Sequence, residues 1–148
     1  IPIRHRTTTR SAGVSAQGSP RAAASIGSRT FALALVYPVW WNEAPAILKG
    51  WIDRVLSHGY AYRVHPDGRF EGLLTLKRVL ILTTADNPLK LLEEAGLNQA
   101  ARLTKQLGTF QFCGVKTVEH EVLGEVSSSQ TAREAFLGKV TELGRTLS

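Results

Sequence analysis

Residues 31–62 read FALALVYPVWWNEAPAILKGWIDRVLSHGYAY, and they join a strand pattern to a helix pattern. The apolar run over residues 31–37 is too short for a typical globular helix and is rich in residues that strands favour. We therefore predict a strand buried on both faces inside a parallel sheet. Pro38 ends this strand, because proline has no N–H to donate to a neighbouring strand.

A helix is predicted directly after this strand. Pro45 falls in its first turn, where the missing N–H costs nothing, and Gly59 ends it. Gly50 is a poor helix former, which predicts close packing against a neighbouring element. The apolar face of the helix is formed by Ile47, Leu48, Trp51, Ile52, Val55 and Leu56.

Trp40 and Trp41 lie between this strand and this helix, at the carboxyl end of the strand. In open parallel sheets, ligands bind in the crevice outside the carboxyl ends of the strands. Two indoles beside a run of backbone N–H groups suit a large, flat, electron-poor ring with acceptor atoms on its edge, such as a flavin. The alternative is that both indoles are core or interface residues, since buried aromatic side chains are common.

Residues 76–83, LKRVLILT, predict a second buried strand, which ends in Thr83, Thr84, Ala85 and Asp86. Their hydroxyl and carboxylate groups suit hydrogen bonding to a ring edge or to a ribityl chain. The alternative is ordinary capping of the next helix, in which Pro88 occupies the first turn. Further along, the pattern predicts a short hairpin at Pro66–Gly68, a helix over residues 89–107 with a break near Gly96, a strand over residues 115–122 and a final helix capped by Ser127–Ser129.

The segment YPVWWNEAPAILKGWIDRVLSHGYAY resembles the signature of the flavodoxin-like NAD(P)H:quinone oxidoreductases, a group that includes the quinone reductases and the modulator-of-drug-activity proteins. The similarity continues through LILTTAD, QFCGVKTVEH and the C-terminal helix, and therefore covers residues 31–148. It implies an α/β, flavodoxin-like three-layer sandwich with a parallel sheet, in which residues 31–148 form a flavin-binding domain. The family often has Thr-Thr-Gly-Gly where this chain has Thr83, Thr84, Ala85 and Asp86.

The resemblance also implies a function. A flavin, FMN or FAD, would accept hydride from NAD(P)H at its N5 and pass it to a quinone-type acceptor. The implied cofactor-binding residues are Pro38, Val39, Trp40, Trp41 and Asn42 along the ring, and Thr83, Thr84, Ala85 and Asp86 at the ring edge and ribityl chain.

Tyr60 and Tyr62 are the implied substrate-binding residues, and the alternative for Tyr62 is an aromatic that closes the junction between helix and loop. The relatives are dimers, which implies a homodimer, with the helix of Trp51 and the segment to Tyr62 as candidate interface. Some quinone reductases carry a Tyr and a His that assist hydride transfer, but residues 85–110 contain neither. The catalytic residues are therefore unassigned.

Residues 1–30 differ from the rest of the chain. They hold five arginines and no acid, whereas the remainder has 13 basic and 12 acidic residues, so the net charge of +6 belongs mainly to this segment. It has few bulky apolar residues, so we expect it to be disordered. A targeting peptide, an artefact and the remnant of a truncated domain are open explanations.

We expect the chain to be incomplete, because it has no methionine even at position 1, and to lack the N-terminal β-α-β portion of the fold. In the family, the loop after the first strand holds the flavin phosphate. Residues 7–11, TTTRS, offer hydroxyl groups, but the only possible strand before them is the three residues Ile1, Pro2 and Ile3. An alternative function follows: a catalytically impaired fragment, or a non-enzymatic ancillary module of the same fold.

Composition limits the remaining possibilities. Cys113 is the one cysteine, which excludes an internal disulfide and fits a cytoplasmic location. No apolar run approaches the ~20 residues that a membrane span needs. We expect no nucleic-acid partner, because no binding motif accompanies the arginines. We also expect no metal site, because no metal-ligand spacing is found among His5, His58, His65 and His120.

Overall fold

The computed structural model describes residues 32–146, so the predictions made for residues 1–30 lie outside the described residues. Strands and helices alternate along most of this range, as the sequence predicts. The strands are β1 (Ala32–Pro38), β2 (Tyr62–Val64), β3 (Phe70–Gly72), β4 (Arg78–Thr84) and β5 (Thr117–Leu123). The helices are α1 (Ala46–Val55), α2 (Leu89–Glu94), α3 (Leu97–Arg102), a π-helix (Leu103–Gln111) and α4 (Gln130–Arg145).

Three of the strands form a parallel sheet in the order β1-β4-β5. β4 is central and is buried on both faces from Val79 to Thr83, as expected for a strand between two neighbours and two covering layers. β2 and β3 pair antiparallel, which confirms the predicted hairpin. The α/β architecture with a parallel sheet is therefore confirmed.

The hydrophobic core lies on one face of this sheet. Side chains at alternate positions of each strand point into it, as the two-residue period of a strand requires. Phe110 of the π-helix is fully buried against this face and has a relative exposure of 0%. The buried members of the cluster are Leu35, Tyr37, Ala44, Leu76, Val79, Ile81, Phe110, Val115 and Val118.

Two predictions about packing are wrong. β1 is buried on only one face, because no element in the described part of the chain covers Val36 on the other face, which is 72% exposed. Gly50 has no atom within 4 Å of the position that a Cβ would occupy, so no close approach explains it.

The helical predictions are confirmed except in two details of α1, which ends at Val55 and not at Gly59, and whose Ile47, predicted on the apolar face, is 86% exposed. The helix after Pro88 breaks at Gly96, whose φ of 72° is left-handed, and continues through α3 into the π-helix. Ser129 caps α4 by accepting a hydrogen bond from the N–H of Ala132 at 3.1 Å. None of the helices within residues 32–146 has the length and apolar character that crossing a membrane requires.

Candidate active site at the carboxyl edge of the sheet

The parallel register brings the two predicted cofactor-binding segments to the same edge of the sheet. Pro38 at the end of β1 pairs with Thr84 at the end of β4. The N–H of Val39 then donates to the carbonyl of Thr84 at 2.8 Å, which ties the loop after β1 to the strand beside it. Residues 38–42 and 83–86 therefore lie side by side at this edge, although Thr83 and Ala85 are buried.

The loop after β1 is a tight turn over Trp40–Glu43, which we call the tryptophan turn. Trp40 and Glu43 exchange two backbone hydrogen bonds, of 2.9 and 3.0 Å. Between them, Trp41 and Asn42 have φ angles of 51° and 63°, which is left-handed backbone. Their own N–H groups have no partner among the described residues. Within residues 32–146, two hydrogen-bond donors beside the two indoles thus have no partner.

Both indoles of this turn lie on the surface. Trp40 is 61% exposed and Trp41 is 98% exposed, so the interpretation of either residue as part of the core is wrong. Exposed large aromatic side chains at the carboxyl end of a parallel sheet are typical of a ligand site. An indole offers a flat π-surface for stacking, and the free N–H groups can donate to acceptor atoms on a ring edge. These residues fit a flavin.

The side chain of Thr83 is buried at this edge and lines a cavity together with Asn42 and Glu43. It is 1% exposed, and its Oγ1 lies 3.0 Å from Nε2 of His120 and 3.4 Å from the carbonyl oxygen of Glu121. The pattern favours a neutral His120 that donates from Nε2 to Thr83, whose hydroxyl then donates to Glu121. The hydroxyl of Thr83 is therefore engaged inside the protein and is not exposed at this edge of the sheet.

A small, mostly apolar cavity with a few polar side chains lies beneath the tryptophan turn. Its volume of about 40 Å³ leaves room for a few water molecules. Lys105 of the π-helix, which is 8% exposed, pairs there with the Oε1 of Glu43. Nδ1 of the buried His120 has no hydrogen-bond partner in the described protein. Glu43, Lys105 and His120, which we call the polar cluster, all line this cavity. The other lining residues include Tyr37, Asn42, Asn98 and Ala85.

Burial and charge set the ionisation of this cluster. Burial, assisted by the positive charges of Arg102 and Lys105, lowers the pKa of His120 from 6.5 to about 4, so the ring is neutral near pH 7. Burial, together with the charge of Glu43, raises the pKa of Tyr37 to about 12. Partial burial would raise the pKa of Glu43, but hydrogen bonds from Lys105 and the Ala44 N–H outweigh it, so that pKa lies below its ordinary value. The ion pair therefore coexists with a neutral histidine.

Asp86 does not cap the following helix. Its Oδ1 accepts a hydrogen bond from the N–H of Ser127 at 3.3 Å, and α2 begins after Pro88 without any side-chain cap. The capping alternative for Asp86 is therefore wrong. Its exposed carboxylate instead ties the loop after β4 to the loop after β5, at the same edge of the sheet as the tryptophan turn.

Tyr60 and Tyr62 are not part of the cavity under the tryptophan turn. Tyr62 lies in an aromatic cluster, with its ring centroid 5.2 Å from that of Phe112 and 5.7 Å from that of His58. Phe70 joins the cluster through Phe112, also at 5.2 Å. Tyr62, Phe70 and Phe112 line an open groove of about 330 Å³ between α1 and the π-helix. Tyr60 is half-buried, and burial raises its pKa.

Sequence reasoning missed Glu43, Lys105 and His120. The strand period does contain a signal for His120, because it places this residue on the same face as Val118 and Val122. Lys105 and Glu43 carry no such signal, since each sits in a segment where charged residues usually face solvent. Phe70 and Phe112 were also missed as members of the groove.

Comparison with known proteins identifies similarity over most of the chain. A family model described as "Flavodoxin-like fold" matches residues 31–145. An uncharacterized NAD(P)H oxidoreductase of Haemophilus influenzae is 39% identical over 71% of this chain and 52% of its own. A ribosyldihydronicotinamide dehydrogenase [quinone] of Rattus norvegicus is 36% identical over 68% of this chain and 45% of its own.

Comparison with solved structures also finds an oxidoreductase. An NAD(P)H:quinone oxidoreductase from Methanothermobacter marburgensis superposes with a TM-score of 0.72, at 34% sequence identity, over 81% of this chain and 60% of that chain. These matches confirm the flavodoxin-like fold that the sequence predicts. The chain spans about half the length of the curated relatives it matches.

Proposed function

The chain belongs to the family of proteins with a flavodoxin-like fold, and from this premise we propose that it is a flavin-dependent NAD(P)H:quinone oxidoreductase. The relatives named above are NAD(P)H and quinone oxidoreductases, which supports this class of reaction. The observation that carries the proposal is the pair of exposed indoles beside the free N–H groups of Trp41 and Asn42. FMN and FAD both fit this argument.

In this proposal the flavin supplies the redox chemistry, taking hydride from NAD(P)H and giving it to a quinone-type acceptor. The chain would bind the flavin and fix its orientation. Pro38 to Asn42 hold one side of the ring, with the N–H groups of the tryptophan turn as donors to its edge. Thr84, Ala85, Asp86 and the backbone of Thr83 hold the ring edge and ribityl chain.

The acceptor would be held by aromatic side chains. We assign Tyr62 to this role, with Phe70 and Phe112 of the same groove and with Tyr60 beside them. The proposal also includes a homodimer, in which the groove of one copy would lie next to the tryptophan turn of the other. A cytoplasmic location is proposed with it.

The test is a titration of the purified full chain with FMN and with FAD. We expect saturable quenching of flavin fluorescence, bleaching of the bound flavin by NADH or NADPH without oxygen, and return of its colour when a quinone is added. A chain that takes up neither flavin contradicts the proposal and favours the non-enzymatic alternative.

Replacing Trp40 by alanine is expected to weaken flavin binding while leaving the fold intact. The indole is 61% exposed, so its removal costs little packing, whereas the loss of one stacking partner should raise the Kd about tenfold, or about 1.4 kcal/mol. Leu137→Ala is a matched control, because Leu137 is 63% exposed on α4. Fluorescence titration gives the Kd and thermal unfolding gives the stability. An unchanged Kd together with a lowered melting temperature would show that the indole serves the fold instead.

A further inference from the structure

The tryptophan turn has a backbone conformation that its own residues disfavour. Left-handed φ angles are uncommon outside glycine, and a bulky side chain such as that of Trp41 is a clear exception. Asn42 tolerates this region better, because its short polar side chain bonds locally. Neither residue is a glycine, so the surrounding structure must hold the turn in place.

The contacts that hold it converge on Glu43, the last residue of the turn. The carboxylate oxygen Oε1 of Glu43 accepts a hydrogen bond from the N–H of Ala44 at 2.9 Å. The same oxygen pairs with the ammonium of Lys105. The other end of the turn is fixed by the bond from Val39 to Thr84. Both ends are thus anchored to other parts of the fold.

Lys105 reaches this carboxylate from the interior. Its side chain is 10% exposed, and Glu43 is its ion-pair partner among residues 32–146. A buried ammonium needs such a partner, because desolvation without one is strongly unfavourable. The residue belongs to the π-helix, and π-helical turns occur frequently at functional sites. The pairing therefore connects the π-helix to the tryptophan turn beside this cavity.

We propose that Lys105 is a positioning residue, whose ion pair with the half-exposed carboxylate of Glu43 keeps the tryptophan turn in the left-handed conformation that presents the indoles and the N–H groups of Trp41 and Asn42. Its importance for cofactor binding rests on the proposed function. Without the ion pair, the turn should spend part of its time in ordinary right-handed conformations. The apparent affinity for a flavin would fall in proportion to the fraction of time lost.

The test compares Lys105→Met, which removes the charge and keeps the apolar stem, with Lys105→Arg, which restores the charge. We expect Lys105→Met to raise the Kd for FMN about tenfold and Lys105→Arg to remain within about threefold of the original chain. Lys90→Met is the matched control, because Lys90 forms an exposed ion pair with Glu94 and should leave the Kd unchanged. If Lys105→Met does not fold, Glu43→Gln takes its place. It removes the negative charge of the ion pair, while its amide oxygen can still accept the hydrogen bond from the N–H of Ala44.

A second readout separates this inference from the proposed function. The three-bond HN–Hα couplings of Trp41 and Asn42 report their φ angles without any flavin, and we expect them to change in Lys105→Met and to recover in Lys105→Arg. If the original chain binds no flavin but these couplings change, Lys105 positions the turn and the proposed function fails. Unchanged couplings, or changed couplings with an unchanged Kd in a chain that binds flavin, would overturn the inference.

Discussion

Replacing Gly72 by alanine is expected to destabilise the protein by about 3 kcal/mol or more, lowering the melting temperature by roughly 10 °C. A Cβ at Gly72 would overlap the backbone nitrogen of Gly114 and the carbonyl carbon of Cys113, and would lie 2.5 Å from the Cα of Gly114. These atoms belong to backbone, so no side-chain rotation can relieve the overlap. The β2–β3 hairpin would have to separate from the loop that leads into β5.

The same substitution at Gly138 is the matched control. Gly138 lies within α4, and a Cβ there meets no atom within 4 Å. Alanine has a better helix propensity than glycine, so we expect Gly138→Ala to raise stability by about 0.5–1 kcal/mol. Thermal unfolding followed by circular dichroism measures both variants. If Gly72→Ala has the same melting temperature as the original chain, the hairpin does not pack against Cys113 and Gly114 in solution.

The elements of the fold follow from local pattern, whereas their packing does not. The apolar runs that became β1 and β4 look alike in the sequence, and both predict strands. The sequence does not indicate which of these two strands has a neighbouring strand on both sides. β4 lies between two strands and is buried on both faces, while Val36 of β1 is exposed. Burial of the second face depends on distant residues, which a local pattern cannot contain.

The candidate site was predictable at the surface but not beneath it. The position of Trp40 and Trp41 after a strand and before a helix was enough to place them at the carboxyl edge of the sheet. The direction of Thr83 follows only when strand alternation is applied from Ile81, which lies in the core. The pairing of Lys105 with Glu43 joins residues far apart in the chain, and the π-helix that carries Lys105 depends on tertiary packing. Neither has a local sequence signal.

The buried histidine leads to the second large effect, which is expected in the pH dependence of stability. His120 has a pKa of about 4 in the folded protein against an ordinary value of 6.5. Between these values the unfolded chain binds a proton at this residue and the folded chain does not, so stability falls as the pH is lowered. One proton changes stability by about 1.4 kcal/mol per pH unit, so His120 alone should cost roughly 3 kcal/mol by pH 4.

Urea denaturation at closely spaced pH values measures this loss, because the free energy of unfolding is obtained at each pH. The range from pH 6.5 to 5 avoids the titration of Glu43, whose pKa is lowered from its ordinary value of 4.5, and comparison with a His120 variant then isolates this histidine. His120→Gln should remove most of the slope in this range, because the amide can still donate to Thr83 but does not titrate. His58→Gln, at an exposed histidine, should retain the slope. Equal slopes in the original chain and in His120→Gln would mean that His120 takes up a proton as readily in the folded protein as in the unfolded chain, and that it is not enclosed by the cavity beneath the tryptophan turn.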